Sequence, residues 1–395
     1  MRTVEEHQQV VAGLISARPA VAVPLADALG LALAEDVVAP LSLPGFDNSA
    51  MDGYAVLAAD VATATADNPV KLPVAEDIPA GRTDLLTLAP GTAHRIMTGA
   101  MLPAGATAVV QVEATDGATD VVSIYSAVPE GRSIRRAGED VTAGMTVLSA
   151  GEVLSPAALG LAAALGLAEL KVIPRQRVLV LSTGTELVAP GTPLQPGQIY
   201  ESNAVMLAAA LREAGADVTT APATSDDVAL FRETLAGHAQ NVDLIVTTGG
   251  VSAGAYEVVK DALSGDVEFV KVAMQPGMPQ GAGTVGGTPI VTLPGNPVSA
   301  LVSFEVFIRP PLRAAMGLPS QRPRRPATLT EKLTSPAGKR QFRRGVLGTD
   351  EQVSSYGPPA SHHLRWLATA NCLLDIGEDV VELAAGSPVP VWDLS

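Results

Sequence analysis

Hydrophobic and polar residues follow two different patterns along the chain. Residues 4–17 carry apolar side chains at helical spacing, and Pro19 ends that run. From there to about Pro174, short Val, Leu and Ile runs are interrupted by Gly and Pro, which is typical of short strands and turns. Residues 155–165 are the exception, because their pattern predicts a helix. We therefore predict a mostly β region with one helical insert.

After Pro174 the pattern changes to hydrophobic strands separated by helices. The predicted strands cover residues 177–183, 217–223, 241–250, 267–273 and 289–293. The predicted helices cover residues 203–214, 226–238, 257–263 and 297–315. This alternation predicts a parallel sheet with right-handed crossovers. From about Arg322, after a Pro- and Arg-rich linker, short strands return and predict a small C-terminal β domain.

Three glycine-bearing turns follow strands of this predicted sheet: STGTEL, TTGGVSAG and LPGNPVSA. Ligands of open parallel sheets bind at the carboxyl ends of the strands, where glycines let the backbone approach a phosphate. The sequence therefore predicts a phosphate-bearing ligand. The spacing is not that of a Walker A loop or a GxGxxG fingerprint, which argues against a generic ATPase or dehydrogenase. The candidate binding residues in these turns are Thr183, Gly184, Gly249, Gly250, Gly295, Asn296 and Ser299.

Acidic residues lie at the same turns. A carboxylate beside a phosphate site can hold Mg²⁺, which prefers hard oxygen ligands. The alternatives are that Asp226 caps a helix and that Asp227 is simply exposed. We assign a functional role to Glu186 and Asp226 and expect Asp227 to be simply exposed.

The charge balance restricts the possible partners. The chain has 26 Lys and Arg against 41 Asp and Glu, a net charge of −15. Such a protein repels nucleic-acid phosphates and anionic membranes, so we expect no nucleic-acid partner. Any anionic ligand must be held locally, by backbone N–H groups, a few placed Lys or Arg, or a divalent cation.

Cysteine usage and hydrophobicity bear on localisation. Cys372 is the only cysteine, so the sequence has no internal disulfide and no thiolate metal cluster. The first ten residues, MRTVEEHQQV, are too polar for a signal peptide. The longest apolar run, at 157–168, is too short to span a bilayer. We expect a cytoplasmic protein without direct membrane insertion.

Seven segments resemble the signature sequences of the MoeA and gephyrin E-domain family of molybdopterin molybdenumtransferases. They are FDNSAMDGYAV, RIMTGAMLP, IRRAGEDV, STGTELV, GQIYESN, TTGGVSAG and LPGNPVSA. They occur in the family's order and with its spacing. The resemblance runs from about Thr3 to the C-terminus, and on this basis the chain is identified as a member of that family.

The resemblance implies an elongated multidomain subunit with α/β and β domains. A Rossmann-like, parallel-sheet molybdopterin-binding domain would comprise residues 1–19 and 174–321. A β-rich linker domain would comprise residues 20–43 and 145–173, with a projecting β-rich domain at 44–144. Residues 322–395 would form a C-terminal β-barrel. Family members are homodimers in which the projecting domain of one subunit meets the α/β crevice of the other.

The resemblance also implies a reaction. Molybdate is inserted into the dithiolene of adenylylated molybdopterin, and AMP is released in a Mg²⁺-dependent step. A separate molybdopterin adenylyltransferase is expected to supply the substrate. Such a site must position an oxyanion beside two sulfurs and stabilise charge as a phosphoanhydride is cleaved.

The family's site residues can be carried onto matching positions of this chain. The expected catalytic residues are Asp52, Thr98, Glu186 and Asp226. The expected metal ligands are Glu186, Asp226 and Glu257. Beyond the turn residues already named, the expected ligand contacts are Asp140, Ser252, Pro294, Pro297 and Arg344.

Four positions depart from the family pattern. Ala255 and Glu257 stand where an acidic residue and an aspartate are usual, and Gln275 and Met278 stand where two lysines are usual. Losing a charge-stabilising donor typically costs about 10²–10³ in kcat. Either Lys271 or Arg344 replaces the missing positive charge in the site, or the catalytic activity of the site is weakened.

Two other functions are considered beside the transferase. A weakened enzyme could be a gephyrin-like dimeric scaffold that binds a short peptide of a membrane-receptor or cytoskeletal partner. A hydrolase of the competence-damage family shares the α/β module. However, such chains begin with that module and carry TGGLGPT where this chain has TTGGVSAG. The transferase is the function that we predict.

Overall fold

The computed structural model describes residues 1–222, 227–250 and 258–394. The chain divides into two compact units, Met1–Ala22 with Gly30–Ala34 and Lys171–Ser395, and Val23–Leu29 with Glu35–Leu170. We call them the α/β–barrel unit and the inserted unit. The helices are α1 (Val4–Leu14), α2 (Pro156–Ala164), α3 (Asn203–Glu213), α4 (Val228–Ala239), α5 (Val258–Ala262), α6 (Pro297–Ser303), α7 (Arg309–Ala315) and α8 (Leu364–Leu367).

The strands are short in the first half of the chain and longer in the second. Up to residue 173 they are β1 (Val21–Pro24), β2 (Ala32–Leu33), β3 (Val37–Val38), β4 (Asn48–Ser49), β5 (Gly53–Val56), β6 (Val70–Ile78), β7 (Ala93–Ile96), β8 (Ala108–Gln111), β9 (Val121–Ile124), β10 (Ile134–Arg135), β11 (Thr146–Leu148) and β12 (Glu169–Ile173). The next are β13 (Arg177–Ser182), β14 (Leu187–Val188), β15 (Ile199–Tyr200), β16 (Asp217–Thr220), β17 (Leu244–Thr248), β18 (Val267–Lys271), β19 (Met274–Gln275), β20 (Pro279–Val285) and β21 (Thr288–Leu293). The last are β22 (Arg324–Leu329), β23 (Leu333–Thr334), β24 (Arg340–Leu347), β25 (Gln352–Ser355), β26 (Cys372–Ile376), β27 (Glu382–Leu383) and β28 (Pro388–Asp393).

The inserted unit is built on a five-stranded sheet with the order β8-β5-β7-β6-β9. Tyr54 on β5 is fully buried, and its hydroxyl donates a hydrogen bond to the Ala118 carbonyl, 2.8 Å away. At Gly53 a Cβ would lie 1.9 Å from the Val110 carbonyl oxygen, so only glycine permits the β5–β8 pairing there. The predicted helical insert is confirmed as α2, whose start is capped by the Ser155 hydroxyl.

The α/β–barrel unit contains a six-stranded sheet with the order β16-β13-β17-β21-β20-β18. β16, β13, β17 and β21 are parallel, as the alternating pattern predicted. The sheet as a whole is mixed, because β20 and β18 run antiparallel at one edge. The strand predicted at 267–273 is therefore antiparallel, and β20 was not predicted at all.

Two helices differ from their predictions. α1 begins with a capping box between Thr3 and Glu6 and ends at Leu14, because Ile15 is extended. The helix predicted over 297–315 is interrupted by a π-helical turn at Phe304–Ile308 between α6 and α7. Pro310 has no N–H to donate to the Val306 carbonyl, and Gln8 Nε2 donates to that carbonyl instead, at 3.1 Å.

The C-terminal strands close into a barrel, as predicted. β24, β25, β22, β28 and β26 are neighbours in that order, and β24 also pairs with β26. Val353, Leu374 and Val391 are buried inside the barrel, whereas Phe342 and Trp392 pack edge to face on its outer side, with their ring centroids 5.3 Å apart, in the core shared with the α/β sheet. Across residues 1–222, 227–250 and 258–394, no helix combines the length and apolarity needed to cross a membrane. The finer division into four domains stays a prediction.

Candidate ligand cavity

The turns that follow β13, β17 and β21 lie against one another. Thr183 N donates to the Thr248 carbonyl at 3.2 Å, and Gly249 N donates to the Leu293 carbonyl at 3.2 Å. A Cβ on Gly249, whose φ is +92°, would lie 2.7 Å from the Thr183 carbonyl oxygen. One on Gly295 would lie 3.4 Å from the Gly249 Cα. The neighbouring parallel strands thus bring the three predicted turns together, and glycine permits the close approach.

These turns line a cavity of about 1150 Å³ in the α/β–barrel unit. Nine of the residues predicted from the sequence line it: Thr183, Glu186, Gly249, Gly250, Pro294, Gly295, Asn296, Pro297 and Ser299. Gly184 lies beneath the Glu186 side chain, since a Cβ there would lie 2.7 Å from Glu186 Oε2. The predicted turn residues therefore share one concave surface.

Two lining residues, Glu201 and Asn203, were not predicted. Glu201 Oε1 accepts a hydrogen bond of 2.8 Å from Ala204 N at the start of α3. Asn203 Nδ2 donates to Thr248 Oγ1 at 3.1 Å and to the Gly295 carbonyl at 2.7 Å, which ties α3 to two of the turns. The segment GQIYESN was the available signal. It carried the family resemblance, but neither residue was assigned a role.

Several buried polar atoms on the lining have no hydrogen-bond partner within the described ranges. They include Thr183 Oγ1, Glu201 Oε2 and Asn203 Oδ1. Buried polar groups are nearly always paired, because an unpaired one costs about 1–3 kcal/mol. These atoms are screened from solvent, so they lie behind the surface of the cavity, and Thr183 Oγ1 lies against Gly249 and Gly250.

The C-terminal part of the chain also contributes to the cavity. Ser361 accepts a hydrogen bond of 2.9 Å from Asn296 Nδ2, and its carbonyl accepts one of 3.0 Å from Val298 N. Arg344 does not line the cavity. Its buried guanidinium donates to the carbonyls of Pro358 and His363 and so holds the loop that carries Ser361. A direct ligand contact by Arg344 remains a prediction.

The chain shares this architecture with known proteins. Residues 2–166 match the MoeA N-terminal region (domain I and II), 179–314 a probable molybdopterin binding domain, and 326–394 the MoeA C-terminal region (domain IV). Molybdopterin molybdenumtransferase 2 of Mycobacterium tuberculosis is 68% identical over 407 residues, covering 100% of both chains. The chain belongs to the MoeA family.

Two further relatives agree with this membership. The molybdopterin molybdenumtransferase of Haemophilus influenzae is 36% identical over 376 residues, which cover 93% of this chain and 92% of that protein. The crystal structure of the molybdopterin biosynthesis MoeA protein from Pyrococcus horikoshii superposes with a TM-score of 0.85 and 30% identity. It covers 100% of this chain and 99% of its own.

Two of the positions expected to depart from the MoeA pattern lie on the cavity lining. Gln275 and Met278 both line it without charge, where the resemblance implied lysines. Gln275 Oε1 accepts a hydrogen bond of 2.9 Å from Gln341 Nε2. Neither of the substitute cations predicted from the sequence, Lys271 and Arg344, lies on the lining, but Lys339 does.

The inserted unit holds the other predicted MoeA site residues. Asp52 Oδ1 accepts two hydrogen bonds of 2.7 Å from Thr98, one from the backbone N–H and one from the hydroxyl. These bonds, the backbone one first, lower the pKa of the Asp52 carboxyl below its ordinary value. Asp140 is exposed, and its N–H donates to the Leu43 carbonyl at 3.1 Å. The roles of all three residues stay predictions.

Four residues singled out in the sequence, Asp226, Ser252, Ala255 and Glu257, lie outside the described residues. Asp227, predicted to be exposed, is exposed, and it also caps α4 by accepting from Ala229 N at 2.8 Å, a role that had been considered for Asp226 instead.

The carboxylates on the lining suit a hard cation such as Mg²⁺. Glu186 and Glu201 both line the cavity, and Glu201 Oε2 has no partner among the described residues. No group of three or more His, Cys, Asp or Glu arranged to hold a metal ion occurs in the described ranges. A complete ligand set would thus need further oxygens, from the substrate, water or the predicted ligands Asp226 and Glu257.

Proposed function

We propose that this chain acts in molybdenum cofactor biosynthesis as a molybdopterin molybdenumtransferase, which inserts molybdate into adenylylated molybdopterin and releases AMP. The names of its full-length relatives support this activity. The observation that carries it most directly is the cavity lined by the three glycine turns. A cavity of this size suits a ligand as large as a pterin with phosphate groups.

The lining residues can bind and orient such a ligand. Gly249 and Gly295 let the backbone approach a phosphate closely. Asn203 fixes two of the turns relative to each other through its two donated hydrogen bonds. A preorganised set of donors stabilises charge without reorganising during the reaction.

A divalent cation would add the positive charge that this acidic protein lacks. Glu186 and Glu201 would contribute oxygen ligands, together with the predicted ligands Asp226 and Glu257. When bound, Mg²⁺ would neutralise charge on the phosphoanhydride that is cleaved.

The active form that we propose is a homodimer in the cytoplasm. A second copy would bring its Asp52 and Thr98 to this cavity, as the family resemblance implies. Thr98 would bind molybdate, and Asp52 would be held in its charged form by Thr98. A separate molybdopterin adenylyltransferase would supply the substrate. The gephyrin-like scaffold is not proposed, because the full-length relatives carry enzyme names.

Complementation tests the proposed function. A bacterial strain that lacks its molybdenumtransferase should regain nitrate reductase activity when this chain is expressed. Glu186→Gln should abolish the rescue, whereas Glu233→Gln, an exposed change on α4 of the same unit, should retain it. Failure of the unaltered chain to rescue, despite soluble expression, would refute the proposal.

A further inference from the structure

An anionic ligand in this cavity would meet only one Lys or Arg side chain on the described lining. The described lining residues include two carboxylates, Glu186 and Glu201, and a single Lys or Arg, which is Lys339. Gln275 and Met278 line the cavity without charge. Because the chain has a net charge of −15, a phosphate or oxyanion entering the cavity gains little from the rest of the protein.

The backbone of Lys339 is fixed beside the uncharged segment. The next residue, Arg340, donates its N–H to the Ala273 carbonyl at 3.0 Å and begins β24, which pairs in parallel with β19. In that register Gln275 lies opposite Gln341. Lys339 therefore lies directly before the paired part of β24, next to the strand β19 that carries Gln275. It lines the cavity from the barrel side of the unit.

The Lys339 ammonium is available to a ligand. Arg340 is engaged by Asp375, at 2.7 Å, and by Glu5. By contrast, no hydrogen bond or ion pair within residues 1–222, 227–250 and 258–394 engages the side chain of Lys339, which is half-buried. A partly desolvated ammonium without a carboxylate partner binds an anion more strongly than an exposed one does.

We propose that Lys339 binds the tetrahedral anionic group of the ligand in this cavity, either the molybdate or a phosphate of the nucleotide-bearing substrate. The inference rests on the proposed function for the identity of that ligand. It gives this chain a cation from the C-terminal barrel, near the uncharged lining residues Gln275 and Met278.

Binding of molybdate and of AMP, measured separately by isothermal titration calorimetry on the full chain, tests Lys339. Lys339→Met should weaken binding of at least one anion by about 10- to 100-fold, because a charged hydrogen bond is lost. The anion that is affected identifies the group that Lys339 holds. Lys339→Arg should retain most of the affinity, and Lys332→Met, an exposed change in the barrel and off the lining, should retain all of it.

A thermal unfolding midpoint unchanged by Lys339→Met would show that the loss of affinity is not a loss of folding. The proposal is overturned if Lys339→Met binds both anions as the unaltered chain does, or if the unaltered chain binds neither. It is also overturned if Lys339→Arg fails to restore affinity. Complementation separates the two proposals, since a chain that binds anions through Lys339 but rescues no strain contradicts only the proposed transferase.

Discussion

Asp52 and Thr98 form a pair in which one carboxylate oxygen accepts two hydrogen bonds from a single residue. The backbone N–H and the hydroxyl both favour the charged carboxylate, so the pKa of Asp52 is lowered. A group whose folded pKa is depressed stabilises the fold above its unfolded pKa and loses that contribution as the pH falls through its folded pKa. Because Asp52 is exposed, the consequence that matters is its fixed orientation and charge at neutral pH.

Replacing the Thr98 hydroxyl should affect Asp52 more than it affects the fold. We expect Thr98→Val to raise the pKa of Asp52 towards its ordinary value without restoring it fully, because the backbone hydrogen bond remains. Transferase activity should fall by about 10²-fold if that orientation is needed. Carbon-detected NMR titration measures the pKa. Thr92→Val, in an exposed turn of the same unit, is the matched control, and equal effects of the two changes would contradict the account.

His7 is fully buried in α1, where its ring packs edge to face on Phe307 at 4.7 Å. Burial, aided by Arg2, lowers the pKa of His7 to about 4, from 6.5. A buried neutral histidine contributes stability above its unfolded pKa of 6.5, and that stability is lost as the pH falls from 6.5 through 4. The contribution is on the order of 3 kcal/mol.

His7→Leu should therefore reduce the dependence of the unfolding free energy on pH at acidic pH. Between pH 6.5 and 4 the unfolding free energy of the unaltered chain should fall by up to about 3 kcal/mol more than that of the variant. Urea unfolding at a series of pH values measures the difference. His238→Leu on α4 should keep the full slope, and a variant slope that matches the unaltered one would assign the acid sensitivity to other groups.

At the scale of elements, the cavity depends on turns that only glycine can form. Gly249 has a φ of +92°, and its Cα lies against both the Thr183 carbonyl and Gly295. Gly249→Ala should cost about 1–3 kcal/mol of stability, through backbone strain and the close contact, and should weaken ligand binding. Gly160→Ala is the matched control, because it lies in α2 with nothing within 4 Å and should stabilise the helix by about 0.5–1 kcal/mol.

Thermal unfolding and calorimetric titration with AMP together measure both effects of Gly249→Ala. A variant that unfolds and binds like the unaltered chain would show that the turns tolerate a Cβ. The glycine turns would then not define the site.

The helices and strands were predicted best where the hydrophobic pattern agrees with the Gly, Pro or capping residues that mark the ends of an element. β13, β17 and β21 are uniform hydrophobic runs followed by glycine turns, and their parallel order places the turns together. β20 was missed because its sequence, PQGAGTV, contains Gly and Pro, which punctuate loops more often than strands. Its antiparallel pairing with β21 and β18 depends on contacts that local sequence does not encode.

The site was predictable where it lies in turns and unpredictable where distant segments meet. Thr183, Gly249 and Gly295 follow recognisable strands. Ser361 and Lys339 come from the C-terminal barrel, and only the folded chain brings them to the cavity. Glu201 was assigned no role from the sequence, and its hydrogen bond from Ala204 N at the start of α3 is visible only in the structure.

At the scale of the whole molecule, the proposed homodimer divides the catalytic residues between two chains. Asp52→Ala and Glu186→Gln should each inactivate the homodimer. When the two variants are co-expressed with different tags, half of the dimers are mixed, and each mixed dimer regains one unaltered site. Activity should therefore recover to about a quarter of the native level. No recovery in purified mixed dimers would show that each site is formed within one chain.

The family is recognised from seven short segments, whereas the activity that we propose depends on the chemistry of one cavity. The most direct measurement is AMP formation by the purified chain from adenylylated molybdopterin, with and without molybdate and Mg²⁺. We predict AMP release that requires molybdate and is lost in Glu186→Gln. AMP release no faster than without enzyme, while an active family member turns over under the same conditions, would contradict the account.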